Sequence, residues 1–209
     1  MPPVNPIRGV LLDLDGTLYT EEGLIPGAAS AVGTLRAEGL PLRLVTNATT
    51  KHRSTIQAAV EKLGLAVDVS EIFSAPFAAA RWLSDFPEAR VWVLTRGDSR
   101  VEFASLRQTT EDPDFIVLGD QMDRFSFEFL NEIFRKLRDG AELIALQKNR
   151  FWMTGGKLTL DAGPFICCSG VRNGKTRPAD GKTVKGFLQF SPGRPPPTCG
   201  SSRHGWRRP

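Results

Sequence analysis

The stretch Gly9-Val10-Leu11-Leu12-Asp13-Leu14-Asp15-Gly16-Thr17-Leu18-Tyr19 decides the fold, because an apolar run ends there in two aspartates and a glycine. Residues 10–12 predict a buried β-strand, and such a strand delivers both carboxylates to the end of a sheet. Ligands of open α/β sheets bind at that end. Alternation along the strand would direct Asp13 and Asp15 to one face, while Gly16 lets the backbone turn sharply. One carboxylate can then attack a substrate, and the other can transfer protons.

The seven residues from Asp13 to Tyr19 resemble the first motif of the haloacid dehalogenase-like phosphatases. The resemblance implies that Asp13 is phosphorylated, that Asp15 is the general acid and base, and that Leu14 belongs to the substrate-binding turn. It also implies a Mg²⁺ cofactor bound by Asp13 and Asp15. The alternative, in which the two aspartates merely cap a turn, does not explain their place on a strand with core character.

Strands and helices alternate after this motif. Pro26 and Gly39 bracket a predicted helix, residues 42–45 predict a strand, and Gly64 closes a second helix. The apolar positions that define the two helices are Ala28, Val32 and Leu35 in the first, and Ile56, Val60 and Leu63 in the second. This order is typical of a parallel sheet with right-handed crossovers.

Thr46 and Asn47 follow the second predicted strand directly. A hydroxyl there would lie beside Asp13 and could donate to a phosphoryl oxygen, although a Thr at this place can also cap a helix or turn. The family resemblance favours Thr46 as a phosphate ligand and Asn47 as a lining residue of the substrate pocket. The basic run 51–53 (Lys-His-Arg) fits anion steering, and a solvated helix start explains it as well.

A second α/β pattern begins after residues 71–83, which predict a short strand, a turn and a helix. Further strands are predicted at 91–94, 115–118 and 143–146, with a helix opened by Ser126 and carrying Leu130, Phe134 and Leu137. The loops carry three acids that we interpret as surface or turn residues: Asp98, Asp120 and Asp123. A small inserted domain is therefore expected.

Residues 147–152 and 158–165 resemble the segment that returns from cap to core in one cap-bearing branch of the family. That branch includes the phospholysine phosphohistidine inorganic pyrophosphate phosphatases and the hydrolase-domain-containing proteins. The resemblance covers about residues 7–165. It implies a phosphorylated small molecule or phosphoamino acid as substrate, and a homodimer or heterodimer formed through the cap.

The balance of charged residues changes near residue 166. Residues 1–165 contain 18 Lys and Arg against 22 Asp and Glu, whereas residues 166–209 contain nine basic residues and one acid, Asp180. The tail also holds all three cysteines, without the spacing of a zinc site or a disulfide framework. Its Pro, Gly and Arg content predicts disorder. An unselected tail created by splicing or a shifted reading frame is favoured over a polyproline ligand or a nucleic-acid-binding segment.

The same region lacks two motifs that the family resemblance would lead one to expect. These are a Gly-Lys-Pro motif, whose Lys steadies the phosphate, and a Gly-Asp-acid motif that completes the Mg²⁺ site. Lys175 and Lys182 each follow a Gly, but no apolar strand precedes them. We therefore expect weak Mg²⁺ binding, impaired phosphatase activity and an open apolar sheet edge. The alternative is a non-catalytic truncated isoform that associates with an intact relative.

The predicted fold is α/β: a partial Rossmann-like parallel core (residues 1–88), an inserted α/β cap (89–165) and a disordered tail (166–209). No run approaches the roughly 18 apolar residues of a membrane span, and residues 1–6 carry no signal-peptide pattern. We expect a cytoplasmic protein, with a nuclear location as the alternative and no membrane contact.

Overall fold

The computed structural model describes residues 7–169, which fold around two parallel sheets. The strands are β1 Val10–Asp13, β2 Tyr19–Thr20, β3 Gly23–Leu24, β4 Leu42–Thr46, β5 Ile72–Ser74, β6 Arg90–Leu94, β7 Arg107–Gln108, β8 Phe115–Leu118, β9 Glu142–Ala145, β10 Phe151–Thr154 and β11 Lys157–Leu160. The α-helices are α1 Ala28–Ala37, α2 Arg53–Lys62, α3 Ala75–Leu83, α4 Phe127–Asp139 and α5 Gly163–Ser169. Short 3₁₀ helices cover Val69–Glu71, Ser99–Phe103 and Met122–Arg124. The predicted α/β fold class is confirmed.

The first sheet contains β1, β4 and β5 in that order, all parallel. β1 and β4 are in register from Val10 opposite Leu42 to Asp13 opposite Val45, so both strands end at the same edge. Buried residues of α1, α2 and the three strands form one hydrophobic cluster. The predicted order of strand, helix, strand and helix is therefore confirmed.

The apolar run of β1 is only half covered. Val10 and Leu12 pack against the first cluster, whereas Leu11 lies on the opposite face and keeps 62% of its surface exposed. Its neighbour on that face is Arg43 of β4, which is also exposed. The prediction that the whole run is buried is wrong for Leu11, because β1 pairs with β4 alone within residues 7–169 and no described element covers this face.

The second sheet has the order β7, β6, β8, β9 and is also entirely parallel. Alternate residues of β6 and β8 point into two separate clusters. One cluster lies under α3 and the helix Ser99–Phe103, and the other lies under α4 and α5. This three-layer unit, called the second unit below, is the second α/β element that the sequence predicts. The first sheet with α1 and α2 is called the first unit. The limits of the second unit at residues 88 and 165 stay predictions, and α3, on the N-terminal side of the first limit, packs on the second sheet.

The buried positions of α4 and α2 differ in detail from those that the periodicity of the sequence predicts. Ser126 caps α4 as predicted, since its Oγ accepts a hydrogen bond from the Phe129 amide at 3.2 Å. The fully buried centre of that helix is Ile133, which the sequence analysis did not select although it lies on the same stripe. In α2 the third predicted position, Leu63, is 37% exposed because the helix ends one residue earlier, and Leu65 is buried instead.

An antiparallel hairpin of β10 and β11 precedes α5. The predicted start of the tail at residue 166 falls inside α5, where Ile166 is buried in the second sheet's core. The rest of the predicted tail, including Lys175, Lys182 and its expected disorder, lies outside the described residues. Within residues 7–169, none of the helices is both long enough and apolar enough to cross a membrane.

Candidate active site

Asp13 is the last residue of β1 and stands at the carboxyl edge of the first sheet. Its Oδ1 accepts a hydrogen bond from the Leu14 amide at 2.9 Å. Partial burial raises the pKa of the Asp13 carboxyl; the Leu14 amide opposes that rise, and the charge of Asp15 adds to it. The side chain of Leu14 is fully buried, so this residue reaches the site through its backbone. A partly desolvated carboxylate at an open sheet edge is suited to nucleophilic attack.

A tight turn returns the chain to the sheet edge directly after Asp15. Gly16 has φ = 78°, a left-handed conformation that favours glycine. The Gly16 amide donates to the carbonyl of Tyr19 at 2.8 Å, and the Leu18 amide donates to that of Leu14 at 2.9 Å. The turn therefore keeps the second aspartate at the same edge as the first.

Thr46 ends β4, the strand beside β1, and is 98% buried, with a relative exposure of 2%. Its Oγ1 donates to Oδ2 of Asp15 at 3.4 Å and accepts from the Ala48 amide at 3.1 Å. The structure thus brings Asp13, Asp15 and Thr46 together, as expected for neighbouring parallel strands. Asn47 follows Thr46 and is exposed. The catalytic and binding roles of these four residues stay predictions.

Tyr19 is a member of this site that the sequence analysis quoted without assigning a role. It is half-buried, and its phenol hydrogen-bonds to the Asp15 carboxylate. Burial, followed by the charge of Asp15, raises the pKa of Tyr19 well above its usual range, so the phenol stays protonated and acts as the donor. The place of Tyr19 in the motif was the signal that the sequence contained. Only the folded turn shows that the Tyr19 ring lies beside Asp15.

The two carboxylates fit Mg²⁺ in their donor chemistry. Mg²⁺ prefers oxygen ligands and is often held by one or two carboxylates together with substrate phosphate and water. Within the described residues, no group of three His, Cys, Asp or Glu side chains is placed to hold a metal ion. The donor chemistry of Asp13 and Asp15 is thus compatible with Mg²⁺, and their role as ligands stays a prediction.

The basic run at the start of α2 is largely occupied by contacts with the second α/β unit. Lys51 is exposed, as a solvated helix start predicts, but His52 caps α2 and Arg53 pairs with Glu102 at 3.0 Å. Asp98 lies in a turn, as predicted, and it also accepts a hydrogen bond from the His52 amide at 2.9 Å. The contacts of Asp98 and Arg53 could not be foreseen from the sequence, because their partners lie more than 40 positions away.

A cleft of about 230 Å³ lies in the second unit, and neither Asp13 nor Asp15 lines it. It is lined by Asp120, Met122, Asp123, Phe125, Thr159, Leu160, Asp161 and Phe165. Three carboxylates and no basic residue line this cleft, so it would repel a phosphate dianion. The site around Asp13 remains the better place for a phosphoryl group.

The chain resembles known proteins over most of its described length. A family model for haloacid dehalogenase-like hydrolases matches residues 10–107. The chain is 36% identical over 160 residues to haloacid dehalogenase-like hydrolase domain-containing protein 2 of Mus musculus, covering 77% of this chain and 61% of that protein. For the Bos taurus protein of the same name the identity is 33% over 182 residues, covering 87% and 69%.

A second group of relatives carries a phosphatase name. The chain is 31% identical over 166 residues to the phospholysine phosphohistidine inorganic pyrophosphate phosphatase of Homo sapiens, covering 77% of this chain and 60% of that protein. Across these curated relatives, the chain spans 60–71% of their length.

Solved structures share the fold. A p-nitrophenyl phosphatase from Archaeoglobus fulgidus matches with a TM-score of 0.72 and 23% identity over 79% of this chain and 65% of that one. A glycerol phosphate phosphatase from Mycobacterium tuberculosis, solved in complex with magnesium, matches with a TM-score of 0.69 and 24% identity over 78% and 51%. At these identities the likeness establishes the fold alone.

Proposed function

The chain belongs to the haloacid dehalogenase-like hydrolase family, and from this we propose that it has the scaffold of a Mg²⁺-dependent phosphatase acting through an aspartyl-phosphate on Asp13. The substrate is a phosphorylated small molecule or phosphoamino acid, in the form of a phosphomonoester, phosphoramidate or pyrophosphate. The observation that carries the proposal is the convergence of Asp13, Asp15 and Thr46 at the ends of two adjacent parallel strands.

The two aspartates divide the chemistry between them. The Asp13 carboxylate attacks phosphorus, the bond to the leaving group breaks, and Asp15 donates a proton to that group. In the second half, Asp15 takes a proton from water as the water oxygen attacks the phosphoryl group. Inorganic phosphate then leaves and the Asp13 carboxylate is restored.

The surrounding residues bind and orient the phosphoryl group. The Thr46 hydroxyl, which donates to Asp15 in the free protein, would turn to donate to a phosphoryl oxygen, and Asn47 would donate a second hydrogen bond. The Tyr19 phenol orients Asp15. Two like charges about 4 Å apart cost on the order of 4 kcal/mol at an effective dielectric constant of 20, so charge neutralisation is essential. Mg²⁺, held by the Asp13 carboxylate and the Asp15 main-chain carbonyl, would supply that neutralisation.

We further propose that turnover is impaired in this chain. The residues after 165 lack the family's phosphate-binding Lys and its final acidic pair. In phosphoryl transfer, positioning and electrostatic stabilisation supply most of the catalysis. With the Asp13 carboxylate and the Asp15 main-chain carbonyl as its protein ligands, the hydrated Mg²⁺ ion should bind weakly.

Hydrolysis of p-nitrophenyl phosphate with and without Mg²⁺ tests both the proposed mechanism and the proposed impairment. We expect a rate at least ~100-fold below that of a full-length relative, because removal of a single stabilising group commonly has that effect. Asp13→Asn should abolish any residual rate, whereas Asp139→Asn, an exposed site at the end of α4, should not change it. A rate equal to that of the relative would overturn the impairment, and a rate that survives Asp13→Asn would overturn the mechanism.

A second candidate function is association without catalysis, which the β10–β11 hairpin favours. Its cross-strand pairs put four apolar side chains on one face, each more than half exposed: Phe151 (54%), Met153 (56%), Leu158 (65%) and Leu160 (58%). Exposed apolar patches of this kind mark interaction sites. The occupant we propose is the same face of a second copy of this chain, because an uncharged apolar face is complementary to itself.

Sedimentation velocity tests the association. Leu158→Glu should convert a dimer into a monomer, and Lys157→Glu, on the opposite face of the hairpin, should not. A monomer at all accessible concentrations would exclude self-association. Capture of a full-length relative by the monomer would point instead to the heterodimer.

A further inference from the structure

The loop that follows β4 is held at its two ends by different parts of the molecule. At its start, Thr46 is bonded to Asp15 of the first unit and to the Ala48 amide. Residues 49–55, which continue from Ala48 into α2, make several hydrogen bonds to the second unit. The segment that carries Thr46 and Asn47 therefore spans the two units.

Asp98 binds this segment through both carboxylate oxygens. Oδ1 accepts a hydrogen bond from the His52 amide at 2.9 Å, and Oδ2 accepts one from the Thr55 hydroxyl. The Thr55 hydroxyl is the main cause that holds the pKa of this carboxyl below its usual range; burial opposes it, and the His52 amide adds to it. Asp98 thus fixes the first turn of α2 relative to the second unit.

Glu102 makes a second attachment one turn further along. Its side chain is only 4% exposed, and Oε1 accepts hydrogen bonds from Arg53 Nε at 3.0 Å and from the Arg53 amide at 3.2 Å. His52 Nε2 lies 3.4 Å from the same oxygen. On its other side the Arg53 guanidinium lies 3.5 Å from the centre of the Phe77 ring. Removing one partner of such a sheltered pair leaves the other charge uncompensated.

The backbones of the two units also approach closely. A Cβ atom on Gly97 would lie 2.2 Å from the carbonyl oxygen of Thr50, so only glycine fits there. The Ser99 amide lies 3.4 Å from the same oxygen, and the Asp120 amide donates to Thr49 Oγ1 at 3.1 Å. Two segments of the second unit, residues 97–102 and Asp120, therefore contact a single short stretch of the first unit.

We infer that Asp98 and Glu102 are positioning residues, which hold the loop bearing Thr46 and Asn47 in place by fastening residues 49–55 to the second unit. The inference rests on the proposed function for the loop's role as phosphate ligand, but the mechanical coupling is independent of it. Displacement of the second unit would have to carry the loop along or break all of these contacts. The geometry of the phosphate ligands is thus set by a domain that does not contain the nucleophile.

Amide hydrogen exchange tests the coupling. The His52 and Arg53 amides bind the two carboxylates directly, so any substitution there would expose them. The informative amide is that of Ala48, which contacts neither Asp98 nor Glu102. Glu102→Gln should speed its exchange by about tenfold or more, as expected when a local opening becomes easier. Thr55→Val, which removes one bond to Asp98 and spares the buried charge pair, should act in the same direction.

Glu132→Gln supplies the matched control, since Glu132 is an exposed residue of α4. Slow exchange at Ala48 in both Glu102→Gln and Thr55→Val, with circular dichroism confirming the fold, would overturn the inference. Faster exchange at Ala48 in the Glu132→Gln control would overturn it too, because the effect would not be specific to the interface.

Binding of beryllium fluoride with Mg²⁺ distinguishes a failure of the coupling between the units from a failure of the proposed phosphate site. If the unmodified chain binds this phosphate analogue, Glu102→Gln should weaken the binding by about tenfold, which corresponds to 1.4 kcal/mol. Equal affinity in the variant would overturn a positioning role. If the unmodified chain does not bind it but exchange at Ala48 responds, the phosphate site is incomplete and the coupling between the units stands.

Discussion

β1 and β8 are both four-residue strands of a parallel sheet, and each contains an uninterrupted apolar run. Ile116, Val117 and Leu118 of β8 are completely buried, because β6 and β9 flank the strand and helices cover both faces. In β1, by contrast, Leu11 is 62% exposed. The difference teaches that an apolar run predicts a strand, while the neighbours of that strand decide whether its residues enter the core.

The largest difference in the free energy of unfolding is expected between substitutions at the centres of β8 and β1. Ile116→Ala should lower the free energy of unfolding by about 2–5 kcal/mol, because it leaves a cavity between two packed layers. Leu11→Ala should change it by less than about 0.5 kcal/mol, as is usual at an exposed position. Urea denaturation followed by circular dichroism measures both values. Equal losses would mean that Leu11 is covered in the complete chain.

A smaller effect is expected at the end of β8, which meets the loop after β4. A Cβ on Gly119 would lie 3.1 Å from Thr49 Cβ and 3.2 Å from Leu146 Cδ1, so Gly119→Ala should destabilise the protein by about 1–3 kcal/mol through overpacking. Gly33, on the exposed side of α1, has open space, and Gly33→Ala should stabilise by about 0.5–1 kcal/mol. Thermal unfolding distinguishes the two signs, and stabilisation by Gly119→Ala would contradict the tight contact.

The contributions of Asp13 and Asp98 to the stability of the fold should change with pH in opposite directions. These effects should be smaller than those of the core substitutions. The folded-state pKa of Asp13 is raised, mainly by burial, so its ionisation opposes folding as the pH rises above its unfolded pKa. The folded-state pKa of Asp98 is lowered, mainly by Thr55, so it stabilises the fold above its unfolded pKa and loses that contribution as the pH falls through the lower folded value.

In metal-free buffer at pH 7, Asp13→Asn should therefore stabilise the chain and Asp98→Asn should destabilise it. Both differences should shrink when urea titrations are repeated at acid pH, where the native carboxyls become protonated. Destabilisation by Asp13→Asn at pH 7 would show that the charge at the end of β1 is favourable.

The smallest effect on stability is expected for Leu11→Lys, a change at the open edge of the first sheet. A lysine on an edge strand discourages pairing with other chains, so light scattering should fall while the free energy of unfolding changes by no more than about 0.5 kcal/mol. Unchanged scattering would indicate that any association uses the hairpin face instead.

The convergence of Asp13, Asp15 and Thr46 could be predicted because it needs only two adjacent parallel strands that end at one edge. The contact of Tyr19 with Asp15 could not, since it depends on the turn around Gly16. Asp98 and Glu102 were also beyond prediction. Their partners are distant in the chain, and a charged side chain is normally solvated.

The sequence alone was enough to predict the central strands of both parallel sheets, helices α1 to α4 and the residues that end at the sheet edge, because periodicity and turn chemistry act over a few neighbouring positions. Only the tertiary structure decided that Leu11 is exposed while the residues of β8 are buried. It also decided that the second unit forms hydrogen bonds with the loop after Thr46. Burial and ion pairing depend on which distant segments meet, and local pattern carries no record of those partners.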